Sequence, residues 1–186
     1  CRTGVDDSDN YEFLKSFIST VKDSGVKTFI IHARKGILKG LSPRQNRNIP
    51  PLNYQKVYSI KDDFPELEII INGGIKNISE VKNHLNYVDG VMLGRAAYDD
   101  PFMLNDVDSE IYANTKVEIC RRDLLTEYLD YVHIMTKKGY DPKIMLKHIF
   151  GLKKGEKDAK RFRVKVAEIM NSSSLVENKD ELISMV

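Results

Sequence analysis

Three short segments put groups able to bind an anion or carry a proton just where an apolar run stops. The first is Ile31-His32-Ala33-Arg34-Lys35. A histidine at the C-terminal end of a barrel strand points to the face where barrel active sites sit. The same residue is equally a half-buried histidine bonded to a loop carbonyl. The second is Ile71-Asn72-Gly73-Gly74-Ile75. Asn-Gly also signals a hairpin, but Asn77-x-x-Glu80 just beyond it has the form of a helix cap, not of a returning strand. Strand, glycine pair and helix in that order make a phosphate nest, because glycine lets backbone N–H groups come close to an anion. The third is Leu93-Gly94-Arg95-Ala96, a glycine beside a guanidinium fork that suits phosphate. Alone, Arg95 could be a surface arginine after a tight turn. Together the three point to a phosphorylated cofactor or substrate, since the last two strand ends of a β/α barrel frequently share one phosphate site.

The elements that must position these residues alternate through the first part of the chain. Asn10 caps a helix carrying Phe13, Leu14, Phe17, Ile18 and Val21, and Gly25 closes it. Thr28–Ile31 is a short, β-branched apolar burst, which predicts a buried strand. Ser42-Pro43 opens a short helix that Ile49-Pro50-Pro51 breaks. A helix follows over 53–63, then a strand over 68–71, a helix from Asn77 to about Asn86, a strand over 90–93 and a further helix. Continuously apolar strands alternating with helices predict parallel β/α units. Beyond residue 114 the alternation gives way to helices. Thr115-x-x-Glu118 caps one with Leu124, Leu125, Tyr128, Leu129 and Val132. Asp141-Pro142 starts a second with Ile144, Leu146, Ile149 and Phe150. Phe162, Val166, Ile169 and Met170 mark a third, and a short one spans Leu175–Val186. The expected organisation is α/β over 1–114 and an all-α helical bundle over 115–186.

At 186 residues, 41% hydrophobic and 30% charged, the chain is globular. No apolar run approaches the ~20 residues of a membrane span. Two cysteines make no disulfide framework and suit a reducing, cytoplasmic setting. No metal-ligand spacing occurs. Residues 1–114 hold 14 Lys and Arg against 16 Asp and Glu, a balance of −2, whereas residues 115–186 hold 15 against 11, a balance of +4. Residues 137–165 alone hold 11 basic and 3 acidic residues. Such a run is either a solvated helix face or the footprint of a polyanion. A (β/α)8 barrel needs ~250 residues, and the chain opens without methionine. The expectation is therefore the C-terminal part of a (β/α)8 TIM barrel, its N-terminal half lying upstream, followed by the helical bundle.

Five segments carry a resemblance: V-D-D-x-D-x-Y-E-F-L, I-I-H-A-R-K, G-L-S-P-R-x-N-R-x-I-P-P-L, I-N-G-G-I and D-G-V-M-L-G-R-A-A-Y. In this order they resemble the tRNA-dihydrouridine synthases of the subfamily A type. The likeness runs almost collinearly to about residue 112 and is traceable through the helices. It implies an FMN-binding barrel and a helical domain, with NADPH reducing FMN and reduced FMN reducing a D-loop uridine of tRNA. Hydride goes to uracil C6 and a cysteine gives a proton to C5. By the same resemblance His32, Asn72, Gly73, Gly74, Gly94 and Arg95 contact FMN, the last four at its phosphate. Arg44, Arg47, Lys160 and Arg163 contact tRNA. Lys160 stands where arginine is usual.

The family's catalytic cysteine lies upstream of the matched segment. Cys1 corresponds instead to the position after an FMN-binding lysine, and Cys120 is expected to be structural on the first turns of a helix. The chain alone is thus expected to hold no catalytic residue and to be inactive. Two other classes fit part of the pattern. A different FMN- or phosphate-binding barrel oxidoreductase acting on a small molecule leaves the basic run unexplained. A non-enzymatic RNA-binding module on a degenerate barrel requires a full-length chain without the proton-donor cysteine.

Overall fold

The computed structural model describes residues 1–115, 118–172 and 175–186, the side chains of 172–177 excepted. These residues form two compact units, Cys1–Gly94 and Arg95–Val186.

In the first unit, helix α1 (Tyr11–Asp23) begins where the Asn10 side chain accepts the Phe13 N–H at 2.8 Å. It ends at Gly25, whose φ of +92° is a left-handed conformation that glycine adopts without strain. Strand β1 (Thr28–His32) follows, then α2 (Pro43–Asn46), α3 (Tyr54–Asp63), β2 (Glu68–Asn72), α4 (Ile78–Leu85) and β3 (Gly90–Met92). The three strands form a parallel sheet in the order β1-β2-β3. Arg2 adds a parallel bridge to His32 on the free side of β1, so the chain's first residues run beside that strand. The fold is mixed α/β, as the strand–helix alternation predicts.

Period-two alternation decides the two faces of the sheet. Phe29, Ile31, Ile69 and Ile71 are buried, as are Leu14 and Ile18 of α1, Val57 and Ile60 of α3 and Val81 of α4. Helix α3 packs on β2 and α4 on β3. Burying each such side chain fully contributes about 1.5–3 kcal/mol. The opposite face carries Ile30 and Met92, 42% and 45% exposed. Phe13 and Phe17, apolar residues of α1, are also exposed. They lie one position before Leu14 and Ile18, on the shoulder of the buried stripe.

The second unit holds α5 (Arg95–Asp99), a 3₁₀ turn (Pro101–Asp106), α6 (Val107–Glu110), α7 (Arg121–Lys137), α8 (Pro142–Leu146), a 3₁₀ turn (Lys147–Ile149), α9 (Ala159–Ser172) and α10 (Leu175–Ser184). Helix α8 starts as expected, with Asp141 accepting the Lys143 N–H and proline at the first position. Leu125, Leu129, Val132, Met145, Leu146, Ile149, Phe162, Val166, Ile169 and Leu182 share one buried cluster.

Three residues or boundaries of this unit depart from the sequence reading. Helix α7 does not begin at the Thr115-x-x-Glu118 box, of which Lys116 and Val117 lie outside the described residues. It begins at Arg121 after Cys120, an exposed residue that makes no side-chain cap. Cys120 is therefore not packed as a structural thiol. Ile144 is 59% exposed, because Met145 and Leu146 supply the inward face of the short α8.

Candidate functional site

Parallel pairing aligns His32 with Asn72 and Asn72 with Met92 across the three strands. All three stand on the face away from the core, at the strands' C-terminal ends. His32 and Asn72 are half-buried there. Sequence reading missed Met92, although it shares strand parity with Gly90, which sits opposite Ile70 just as Met92 sits opposite Asn72.

The glycine pair leaves β2 with φ of +115° at Gly73 and +77° at Gly74, both in the region that favours glycine. Space is closed around them as well. A Cβ on Gly73 would stand 3.3 Å from Cε1 and Nε2 of His32, and one on Gly74 would stand 2.5 Å from Leu52 Cδ1 and 3.0 Å from the Tyr54 hydroxyl. The structure thus brings His32, Asn72, Gly73 and Gly74 together. Beyond them, the Lys76 N–H donates to Glu80 Oε2 at 2.8 Å and the Glu80 N–H donates to Asn77 Oδ1 at 2.9 Å. These entry donors of α4 are taken by side chains of the same turn. Gly94 is different: nothing lies within 4 Å of where its Cβ would be. Arg95 follows it as the first residue of α5 and belongs to the second unit.

Behind the glycines sits an aromatic group around His84, itself 7% exposed. The Tyr54 ring meets the imidazole edge-on at 4.5 Å between centroids, and the Tyr58 hydroxyl is 2.6 Å from His84 Nδ1. Burial holds His84 below its ordinary value of 6.5, with the charge of Glu80 acting in the opposite direction. The unfolded chain therefore takes up a proton at His84 that the folded chain resists, and stability is lost as pH falls below 6.5. Urea titrations should show a midpoint that drops between about pH 6.5 and 5. The drop should be shallower in His84→Gln. Asp63, held below its ordinary value by hydrogen bonds from Lys15 and Tyr11, contributes only to a more acidic limb.

A second group of residues lies between β1 and α3. Its root is tied: the Asn53 N–H donates to Ala33 O at 2.7 Å, and Nη1 of Arg2 donates to Lys35 O at 2.9 Å and Asn46 O at 3.0 Å. Asn46 closes the turn through both amide atoms on the backbone of Ile37. Ser42 and Gln45 form a reciprocal capping box on α2. This framework presents Arg44 and Arg47, both exposed. Burial and the nearby charges of Arg47 and Arg34 hold Arg2 below the usual arginine range, so three guanidinium groups share one neighbourhood. Sequence reading had not singled out Arg2. A cavity of about 500 Å³ lined by Arg2, Phe13, Phe17, Leu38, Asn46 and Arg47 opens beside this segment and does not include His32 or the glycines.

In the second unit Lys160 and Arg163 are exposed on α9, three residues apart and therefore on one face. Phe162, Val166 and Ile169 bury the other face. Among the described residues no helix is long and apolar enough to cross a membrane, and no group of three or more His, Cys, Asp or Glu could hold a metal ion.

Residues 1–185 match the family described as "Dihydrouridine synthase (Dus)". The tRNA-dihydrouridine(20/20a) synthase of Shewanella oneidensis is 43% identical over 167 residues, covering 90% of this chain and 50% of that protein. The protein of the same name from Vibrio cholerae is 43% identical over 168 residues, covering 90% of this chain and 51% of its own. That from Synechocystis is 42% identical over 162 residues, covering 87% and 48%. The chain spans about half the length of the curated relatives it matches.

Proposed function

Because the chain belongs to the dihydrouridine synthase family, in its subfamily A form, we propose that it is part of a flavin-dependent enzyme that reduces uridine to dihydrouridine in the D-loop of tRNA. In this reading residues 1–114 are the C-terminal portion of an FMN-binding TIM barrel, and residues 115–186 are a helical tRNA-binding domain. The observation that carries it is the row of His32 and Asn72 at the ends of parallel strands, with Gly73 and Gly74 beside the imidazole. The residues fit FMN. The surroundings of Gly94 are open where a Cβ would stand. Arg34 Nε is buried with no hydrogen-bond partner among the described residues, close enough to Tyr54 for its charge to be felt there.

FMN, when bound and reduced by NADPH, supplies the hydride that saturates the uracil 5,6 double bond. His32 and Asn72 would hold it from the strand ends. Gly73, Gly74, Gly94 and Arg95 would hold its phosphate, the glycines through backbone N–H groups and the arginine through its fork. Arg44 and Arg47 in one unit, and Lys160 and Arg163 in the other, would neutralise tRNA phosphates. In this reading a cysteine supplies the proton at uracil C5, and neither Cys1 nor Cys120 is assigned that role.

The test is made on the intact protein. Bound flavin bleached by NADPH, together with tRNA binding that weakens steeply with salt, supports the reading; an intact protein that never binds flavin sinks it. Flavin binding without tRNA affinity would turn it towards a small-molecule reductase. Arg95→Ala should weaken FMN binding by about tenfold or more, the loss of a charged hydrogen-bond pair, and leave tRNA affinity unchanged. Loss of both together would overturn the assignment of two sites.

A further inference from the structure

We propose that Tyr54 is the positioning residue of the phosphate-binding glycines: its hydroxyl fixes the Gly73–Gly74 peptide so that the Gly74 N–H is a preset donor to an FMN phosphate. This inference rests on the flavin reading above. The Tyr54 hydroxyl donates to the Gly73 carbonyl oxygen at 2.8 Å. That carbonyl and the Gly74 N–H belong to one planar trans peptide and point in opposite directions. Holding the first towards Tyr54 therefore aims the second away from α3.

Fixing this peptide matters because of its sequence. Two successive glycines, both at positive φ, have the least intrinsic resistance to rotation of the peptide between them. Without an external hold, the N–H direction is an average over orientations, and ordering it on binding costs affinity. The other candidate donors at the mouth of α4 are not equivalent, since the Lys76 and Glu80 N–H groups already bond to Glu80 and Asn77 side chains.

Tyr54 is itself held at its backbone and at its ring. It is the first residue of α3, and the N–H of its neighbour Asn53 is tied to Ala33 O at the end of β1. Its ring rests edge-on against the buried His84, which the Tyr58 hydroxyl holds at 2.6 Å. The hydroxyl lies 3.0 Å from where a Gly74 Cβ would be, so the same contact that orients the peptide also closes that position to any larger residue.

The experiment compares FMN with riboflavin, which lacks the phosphate, by quenching of flavin fluorescence on titration of the intact apoprotein. Tyr54→Phe removes only the hydroxyl and keeps the ring on His84. The ratio of FMN to riboflavin affinity should fall by about tenfold, the scale of one lost and one loosened hydrogen bond, with riboflavin affinity itself unchanged. Tyr11→Phe removes a hydroxyl bonded to Ser59 O and Asp63 Oδ2, with no tie to Gly73 or His84, and should leave the ratio at the wild-type value. An unchanged ratio in Tyr54→Phe, or an equal loss for both flavins, overturns the inference and leaves the flavin reading intact. A wild-type protein that binds neither flavin overturns both. Should Tyr54→Phe fail to fold, 3-fluorotyrosine at position 54 keeps the shape and strengthens the donor; the ratio should then rise, and a ratio that stays put or falls counts against the role.

Discussion

Replacing Lys160 and Arg163 together by glutamate should lower the affinity of the intact protein for tRNA by about a hundredfold at low salt and leave its flavin content unchanged. Each phosphate contact contributes roughly 0.7–0.9 to the slope of log K against log salt concentration. Losing two should flatten that slope by about 1.5, and the two new negative charges add repulsion. The fold should tolerate the change, since both side chains are exposed on the face of α9 opposite Phe162, Val166 and Ile169. Lys165 is a poorer choice of target because it already pairs with Glu181 at 2.6 Å. Filter binding at two salt concentrations measures the effect. An unchanged slope would remove both residues from the tRNA surface and return the basic run at 137–165 to a solvated face.

Phe162→Ala should destabilise the helical unit by about 3–5 kcal/mol, the cost of deleting a buried aromatic ring and leaving a cavity. Phe162 is fully buried and is among the largest side chains in its cluster, where α7, α8, α9 and α10 all contribute apolar groups. The loss is comparable to the whole stability of a small domain. Far-ultraviolet circular dichroism against urea should show an early transition in the variant. Because Phe162 lies between Arg161 and Arg163 on α9, tRNA affinity should fall with it although no contacting side chain has changed. Affinity that survives unfolding of this cluster would mean that the helix presenting Lys160 and Arg163 is not what holds them.

The strands were legible to within a residue or two, and the residues missed are instructive. An apolar run predicts strands over 28–31 and 68–71, whereas β1 ends at His32 and β2 at Asn72. A criterion built on apolarity stops one residue short whenever a strand ends in a polar functional group. Here those terminal residues are the candidate site. Helix starts marked by a cap and a proline, as at Ser42-Pro43 and Asp141-Pro142, were read correctly because the signal is local and chemical. The box at Thr115 lacks that proline, and α7 starts at Arg121. The Tyr54–Gly73 bond joins positions 19 residues apart and has no signature in one dimension. The same holds for Arg2, whose two carbonyl partners lie 33 and 44 positions away.

The segment from Ala33 to Asn53 is tied at its root by the Asn53–Ala33 bond and by Arg2. Its middle, including Ser42–Arg47, is surface. A loop anchored in this way is an exchangeable part. The exposed side chains of Arg44 and Arg47 can be exchanged without breaking either tie, because the Asn53–Ala33 bond and both bonds from Arg2 end on backbone atoms. If Arg44 and Arg47 meet tRNA and the strand ends meet flavin, as proposed, the two kinds of contact reside on separate stretches of the chain.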